Sequence, residues 1–281
     1  AELSNTQIYV GEATRDDKLV HVLAYQNTAE SNGPNAMILP FPTSEPMGPN
    51  NIIDTRGFGK FLTDIGLATK IQMRSLSATL NSKGAGPAAA GFAQVFDSGS
   101  YTVILADHVS QVPEALTRVP VEKRPEITTQ FLIRFGMMYP KQPVALCCWT
   151  GTLKSEPLLW IYEPKNPEVL FVPTMDAHDG GPPDLDAMVQ ADHIISTGSR
   201  IVSVGSPVNY TDLIRTGGSL PSEFEGLLPS RVRGYSLKRM VKNGDMFISV
   251  PELRSAEKLF IKRGAKYTAE GMAKEAMQGW M

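Results

Sequence analysis

Residues 18–25, Lys-Leu-Val-His-Val-Leu-Ala-Tyr, constrain the fold of this chain more than any other stretch. As a strand they place Leu19, His21, Leu23 and Tyr25 on one face and Val20, Val22 and Ala24 on the other. Both faces are largely apolar, so the strand must be covered from both sides. His21 then reads as a core histidine. The run Gln7-Ile-Tyr-Val10 reads as a strand before it, across the turn-like Arg15-Asp16-Asp17. Ala36-Met-Ile-Leu39 follows a loop containing Asn32-Gly33-Pro34, and the three runs predict a meander.

The rest of the chain alternates short strands with a few helices. Helical spacing of Phe58, Phe61, Leu62 and Ile65 predicts a helix over 57–69. Further helices are expected over 110–118, over 125–138 with Pro125 in the first turn, near 211–215 and over 268–281. Strands are expected at 93–96, 101–105, 144–149, 158–162, 169–172 and 200–204. Tyr235–Val241 and Met246–Val250 flank Lys242-Asn-Gly-Asp245, and Asn-Gly suits a tight hairpin turn. Strands come in consecutive runs, not in strand–helix alternation. The expected class is therefore α+β, with mostly antiparallel sheets in two packed β-rich lobes and four or five helices. The Gly- and Ala-rich stretch 81–91 reads as a linker or surface loop. It would divide an N-terminal β-rich lobe, 1–80, from a larger α+β lobe, 92–281, that carries a basic hairpin and a terminal helix.

Composition excludes several classes. The chain has 281 residues, 42% of them hydrophobic and 20% charged, which is enough apolar material for a core. A formal net charge of −2 argues against a molecule that binds polyanions over its whole surface. The apolar runs are far shorter than the ~20 residues of a spanning helix, so no membrane partner is expected. No signal peptide is read at Ala1–Asn5. The two cysteines, Cys147 and Cys148, are adjacent and lie in an apolar run, as buried thiols of a cytoplasmic protein would. The sequence contains no G-x-S-x-G, H-E-x-x-H, phosphate-loop or EF-hand motif.

Two segments carry candidate chemistry. Residues 173–193 hold five aspartates and two of the four histidines, directly after the strand Val169–Val172. Asp176 and His178 share a face if that strand continues. If Asp184 starts a helix, Asp186 and His193 lie two turns apart on one face. Asp176, His178, Asp179 and His193, with Asp107 and His108, form a candidate ligand set for Zn, Mn or Fe. Such a metal would activate water in a hydrolase. Asp176-Ala-His-Asp179 is similar to the Asp-Ala-His-x-Asp metal motif of the arginase-like ureohydrolases, and Ala106-Asp-His-Val-Ser110 resembles their Gly-Gly-Asp-His-Ser motif. Both motifs depart from that pattern, and 69 residues separate Asp107 from Asp176, so no family is assigned.

The second segment, 231–267, carries a net charge of +7 while the rest of the chain carries −9. Arg231, Arg233, Lys238, Arg239, Lys242, Lys258 and Lys262 are its candidate binding residues, interleaved with Tyr235, Phe247 and Phe260. Without a nucleic-acid motif, an acidic protein surface, including a second copy of the chain, is the expected partner. The expectation is a cytoplasmic binding or assembly protein without catalysis that self-associates through this segment and needs no cofactor. The alternative is the metal-dependent hydrolase.

Overall fold

The double-faced strand lies in the interior of the largest sheet. The computed structural model describes residues 2–43, 45–72, 93–177, 181–199, 205–255 and 261–263. Its first two strands, β1 (Glu2–Arg15) and β2 (Lys18–Glu30), form a long antiparallel hairpin. Asp16 and Asp17 turn it with φ of 51° and 59°, the consecutive left-handed pair that matches the twist of two paired strands.

The chain then runs through β3 (Asn35–Pro40), β4 (Ile52–Ile53), α1 (Phe61–Gln72), β5 (Gln94–Ser98), β6 (Tyr101–Ala106), α2 (Val112–Leu116) and α3 (Thr129–Met138). After these come β7 (Val144–Trp149), β8 (Leu153–Lys154), β9 (Leu158–Tyr162) and β10 (Val169–Val172). The last described elements are β11 (Met188–Ser199), β12 (Ser206–Pro207), β13 (Arg231–Lys242), β14 (Met246–Ser249), α4 (Val250–Arg254) and β15 (Ile261–Arg263). The fold is α+β with mostly antiparallel sheets. The eight-stranded sheet has the order β12-β13-β11-β1-β2-β9-β4, with β8 also on β2. A four-stranded sheet has the order β3-β7-β6-β5, and a three-stranded one β10-β14-β15. Among the described residues the parallel pairing is that of β1 with β11.

The sheets stack into layers. Ile8, Val10, Leu23, Trp160 and Ile195 of the large sheet face Leu39, Val103, Cys147 and Trp149 of the four-stranded sheet, with Leu170 and Ile248 of the three-stranded sheet in the same core. Tyr9, Val20, Val22 and Leu159 face the other way, under Phe61, Leu62 and Ile65 of α1 and the loop residues Phe58 and Phe224. The outer face of the four-stranded sheet, with Ile104, Leu146 and Cys148, is covered by Val112 of α2 and Phe131 and Phe135 of α3. Cys147 and Cys148 thus point into different cores. Burial pushes both thiols up, Cys148 to about 12, which leaves them protonated and apolar in behaviour. No described helix is long and apolar enough to cross a membrane.

Several expectations are corrected. The three N-terminal strands are not a meander, because the free edge of β2 is taken by β9 and β3 crosses to pair with β7. The Asn-Gly turn does not close a hairpin: β13 pairs with β11 and β12, whereas β14 pairs with β10 and β15. Asp184 starts no helix, and 188–199 is a strand. Helix α3 begins at Thr129 instead of Pro125, capped by Thr128, whose hydroxyl accepts from Phe131 N–H at 3.1 Å. Both larger sheets take strands from either side of 81–91. The stretch 81–91, the strand 200–204 and the helix 268–281 lie outside the described residues.

Two buried polar groups hold distant parts together. Glu12 of β1 is fully buried and accepts from Arg254 Nε at 3.1 Å and Nη2 at 2.7 Å, which ties β1 to α4. Arg254→Met leaves that carboxylate buried without its counter-charge. The expected loss is about 3–5 kcal/mol in urea unfolding, and the double variant Glu12→Leu/Arg254→Met recovers most of it.

His21 is 1% exposed, stacks edge-on against Tyr162 and donates from Nε2 to the Pro167 carbonyl at 3.2 Å. Burial lowers its pKa to about 4, against the opposing effect of that hydrogen bond. The unfolded chain therefore binds the proton more readily between pH 6.5 and 4. The stability due to neutral His21 is complete above pH 6.5 and is lost as the pH falls through 4, on the order of 2 kcal/mol of it by pH 5. Urea unfolding at pH 7.5 and 5.0 should show this difference in wild type and lack it in His21→Phe.

Candidate functional site

A concavity of about 830 Å³ opens between the large sheet and the outer edge of β3. Its walls are 34–40, the start of β1 at Leu3 and Thr6, Tyr25 of β2, 189–193 of β11, the segment 173–177 and residues 121–131 leading into α3. That volume falls in the range of ~300–1,000 Å³ typical of ligand clefts.

The segment 173–177 is held by Tyr139 and by Asn243–Asp245, the latter read from sequence only as a turn. Asp245, 5% exposed, accepts at Oδ1 from the backbone N–H of Thr174 at 3.0 Å and Met175 at 3.1 Å, and at Oδ2 from the Tyr139 hydroxyl. Burial, and then the neighbouring Asp245 carboxylate, pushes the Tyr139 phenol well above its ordinary value, so it remains a donor. Asn243 accepts from Asp176 N–H at 2.8 Å and donates to the carbonyls of Asp176 at 2.8 Å and Asp184 at 2.9 Å. Gly244 adopts φ of 140°, which a side chain would resist, and its carbonyl accepts from the Thr174 hydroxyl at 3.0 Å. The Asn-Gly-Asp signal is real, but its side chains fasten the aspartate-rich loop from the corner between two sheets.

The aspartate-rich segment lies partly along this cleft. Asp176, Asp192 and His193 line it. His178 and Asp179 lie outside the described residues. Asp107 and His108 do not line it. His108 instead caps the short turn 109–111, its Nδ1 accepting from Ser110 N–H at 3.2 Å, and Asp107 N–H donates to Gln111 at 2.9 Å. Among the described residues no three His, Cys, Asp or Glu side chains converge as metal ligands. Tyr25 faces the same cleft. Burial raises its phenol to about 12, and hydrogen bonds with Asn27 and Thr6 oppose the shift.

Lys238, Lys242, Arg231 and Arg233 of the basic segment meet groups of their own chain. Lys238 pairs with Asp192, and Lys242 with Asp186 at 2.7 Å. Hydrogen bonding to these lysines holds both carboxyls below the usual range. Arg233 is 4% exposed and donates to the carbonyls of Glu252, Leu253 and Ser255 at 3.0–3.3 Å, at the end of α4. Arg231 donates to the Gly205 carbonyl. Arg239 is exposed on β13 opposite Ala191, Lys262 is placed in β15, and Lys258 lies outside the described residues. The opposed charges of body and basic segment thus meet in part within one chain.

Asp245→Asn exchanges a carboxylate that accepts three hydrogen bonds for a neutral amide. The expected result is a loss of about 2–3 kcal/mol. Amide hydrogen exchange at Thr174 and Met175 should accelerate more than that of β1 or β2.

No family model and no curated protein matches the chain. A chain of the crystal structure of the caspase-8/p35 complex aligns with a TM-score of 0.41 and 12% identity over 92% of this chain and 96% of that one. That likeness is too weak to carry an argument about fold or function.

Proposed function

We propose that this chain is a binding protein whose ligand seat is the cleft between the large sheet and β3. The observation that supports it is the cleft's composition. Apolar groups from Met37, Ile38, Phe131 and Leu146 share the cleft with polar ones that include Thr6, Tyr25, Asp176 and His193. The segment that carries Asp176 is fastened by Asp245 and Asn243, so the polar groups are held in place before a ligand arrives. A screen of small molecules and short peptides by amide chemical-shift mapping tests this reading. Hits should move the signals of 34–40, Tyr25 and 189–193 together, and Ala36→Trp, which fills the cleft, should weaken them at least tenfold. Hits that cluster elsewhere count against it.

A metal-dependent hydrolase is the second reading, favoured by Asp176 and His193 lining one cleft. Elemental analysis of untagged protein tests it. Near-stoichiometric Zn, Mn or Fe that is lost in His193→Ala supports a metal there. Protein that takes up none of the three ions after incubation with each removes the reading.

A further inference from the structure

The backbone of β3 narrows the class of ligand. In an antiparallel pair, residues alternate between those whose N–H and C=O face the partner strand and those that face away. The register with β7 runs Asn35↔Trp149 to Pro40↔Val144. Three observations fix which residues face out. Phe41 N–H donates to the Pro143 carbonyl at 2.9 Å, so the odd-numbered residues point at β7. Pro40, with no N–H, occupies an outward position where no ladder donor is needed. Ala36 N–H, also outward, turns to the Oδ1 of its neighbour Asn35 at 2.8 Å. Ile38 therefore faces outward with both its N–H and its C=O, together with the carbonyls of Ala36 and Pro40. Among the described residues the outer edge of β3 pairs with no strand. This open edge is itself a wall of the 830 Å³ cleft. An uncovered apolar edge such as Asn-Ala-Met-Ile-Leu is a hazard that proteins ordinarily blunt with charge or a covering element.

We infer that an extended peptide bearing a basic residue adds as a strand to the outer edge of β3 at Ile38. The inference rests on the cleft reading above and names its ligand class and binding mode. One residue of the peptide exchanges two hydrogen bonds with Ile38, and its flanking amides reach the carbonyls of Ala36 and Pro40. Pro34 and Pro40 bracket the edge, which limits the added strand to a few residues and discourages open-ended sheet growth. The preference for a basic residue comes from the net charge of the lining. Glu126, Asp176, Asp192 and Asp245 line the cleft; Lys238 pairs with Asp192, and Arg124, the guanidinium among the lining residues, donates to the carbonyls of Thr117 and Val119 at 2.8–3.1 Å, so the lining keeps a negative balance.

The test is a selection from a displayed library of random twelve-residue peptides on the full chain, with the hits resynthesised as blocked peptides. Hits should be enriched in Lys or Arg. Ile38→Pro deletes the outward donor without touching the ladder to β7, as Pro40 already does two residues on, and should cost at least tenfold in affinity. Ile38→Val should bind as wild type. An N-methyl scan along each hit should alternate, with every second amide sensitive. This scan uses wild-type protein and decides the question even if Ile38→Pro unfolds. Hits that map to the cleft but tolerate both Ile38→Pro and methylation at every amide overturn strand addition and leave the cleft reading standing. Acidic hits overturn the charge preference. Absence of any cleft binder overturns both readings.

Discussion

The structure depends on the burial of β1 and β2 on both faces. Ile8, Val10 and Leu23 supply one core, and Tyr9, Val20 and Val22, alternating with them, supply another. Each of these side chains is worth about 1.5–3 kcal/mol only if its own face is covered. The hairpin therefore demands α1 and the 205–228 loops on one side, and two smaller sheets on the other. Helices α2 and α3 follow in turn, because the four-stranded sheet is itself apolar on its outer face. The layered arrangement is the consequence of one pair of long strands without a polar side.

The cleft arises from the same geometry. The smaller sheets share a core with the large one, and among the described residues no strand pairs with the outer side of β3. What keeps the gap defined is polar. Asp245 gathers the backbone of 174 and 175, and Asn243 gathers that of 176 and 184, from the corner where the chain leaves the large sheet for the three-stranded one. These side chains satisfy loop amides that no strand reaches, which is the usual requirement on buried backbone.

Alternation made the strands legible. The hairpin at 16–17, the two-faced β2, the adjacent buried cysteines, α1 and the strand pair 94–106 all follow patterns within ten or fifteen residues of one another. The partners of those strands were not legible in the same way. The runs 144–149, 158–162 and 169–172 look alike and lie in succession, yet they enter three different sheets. Asn243-Gly244 has the composition of a hairpin turn, and only the placement of 174–184 beside it shows why the side chain is committed elsewhere. The aspartates and histidines of 173–193 were visible as a cluster, but the sequence did not say which of them converge: Asp176, Asp192 and His193 line the cleft, whereas Asp186 pairs with Lys242 away from it.

The sequence by itself determined the class of this protein, α+β with largely antiparallel sheets, and the identity of most core strands. Periodicity and turn chemistry are local properties, and they survive whatever surrounds them. The tertiary structure alone decided which strands pair, that Lys238, Lys242 and Arg254 meet carboxylates of their own chain, and that among the described residues β3 lies at a sheet edge beside a cleft. Each of those depends on contacts between residues far apart in the chain, such as Glu12 with Arg254 and Tyr139 with Asp245, which no local pattern specifies.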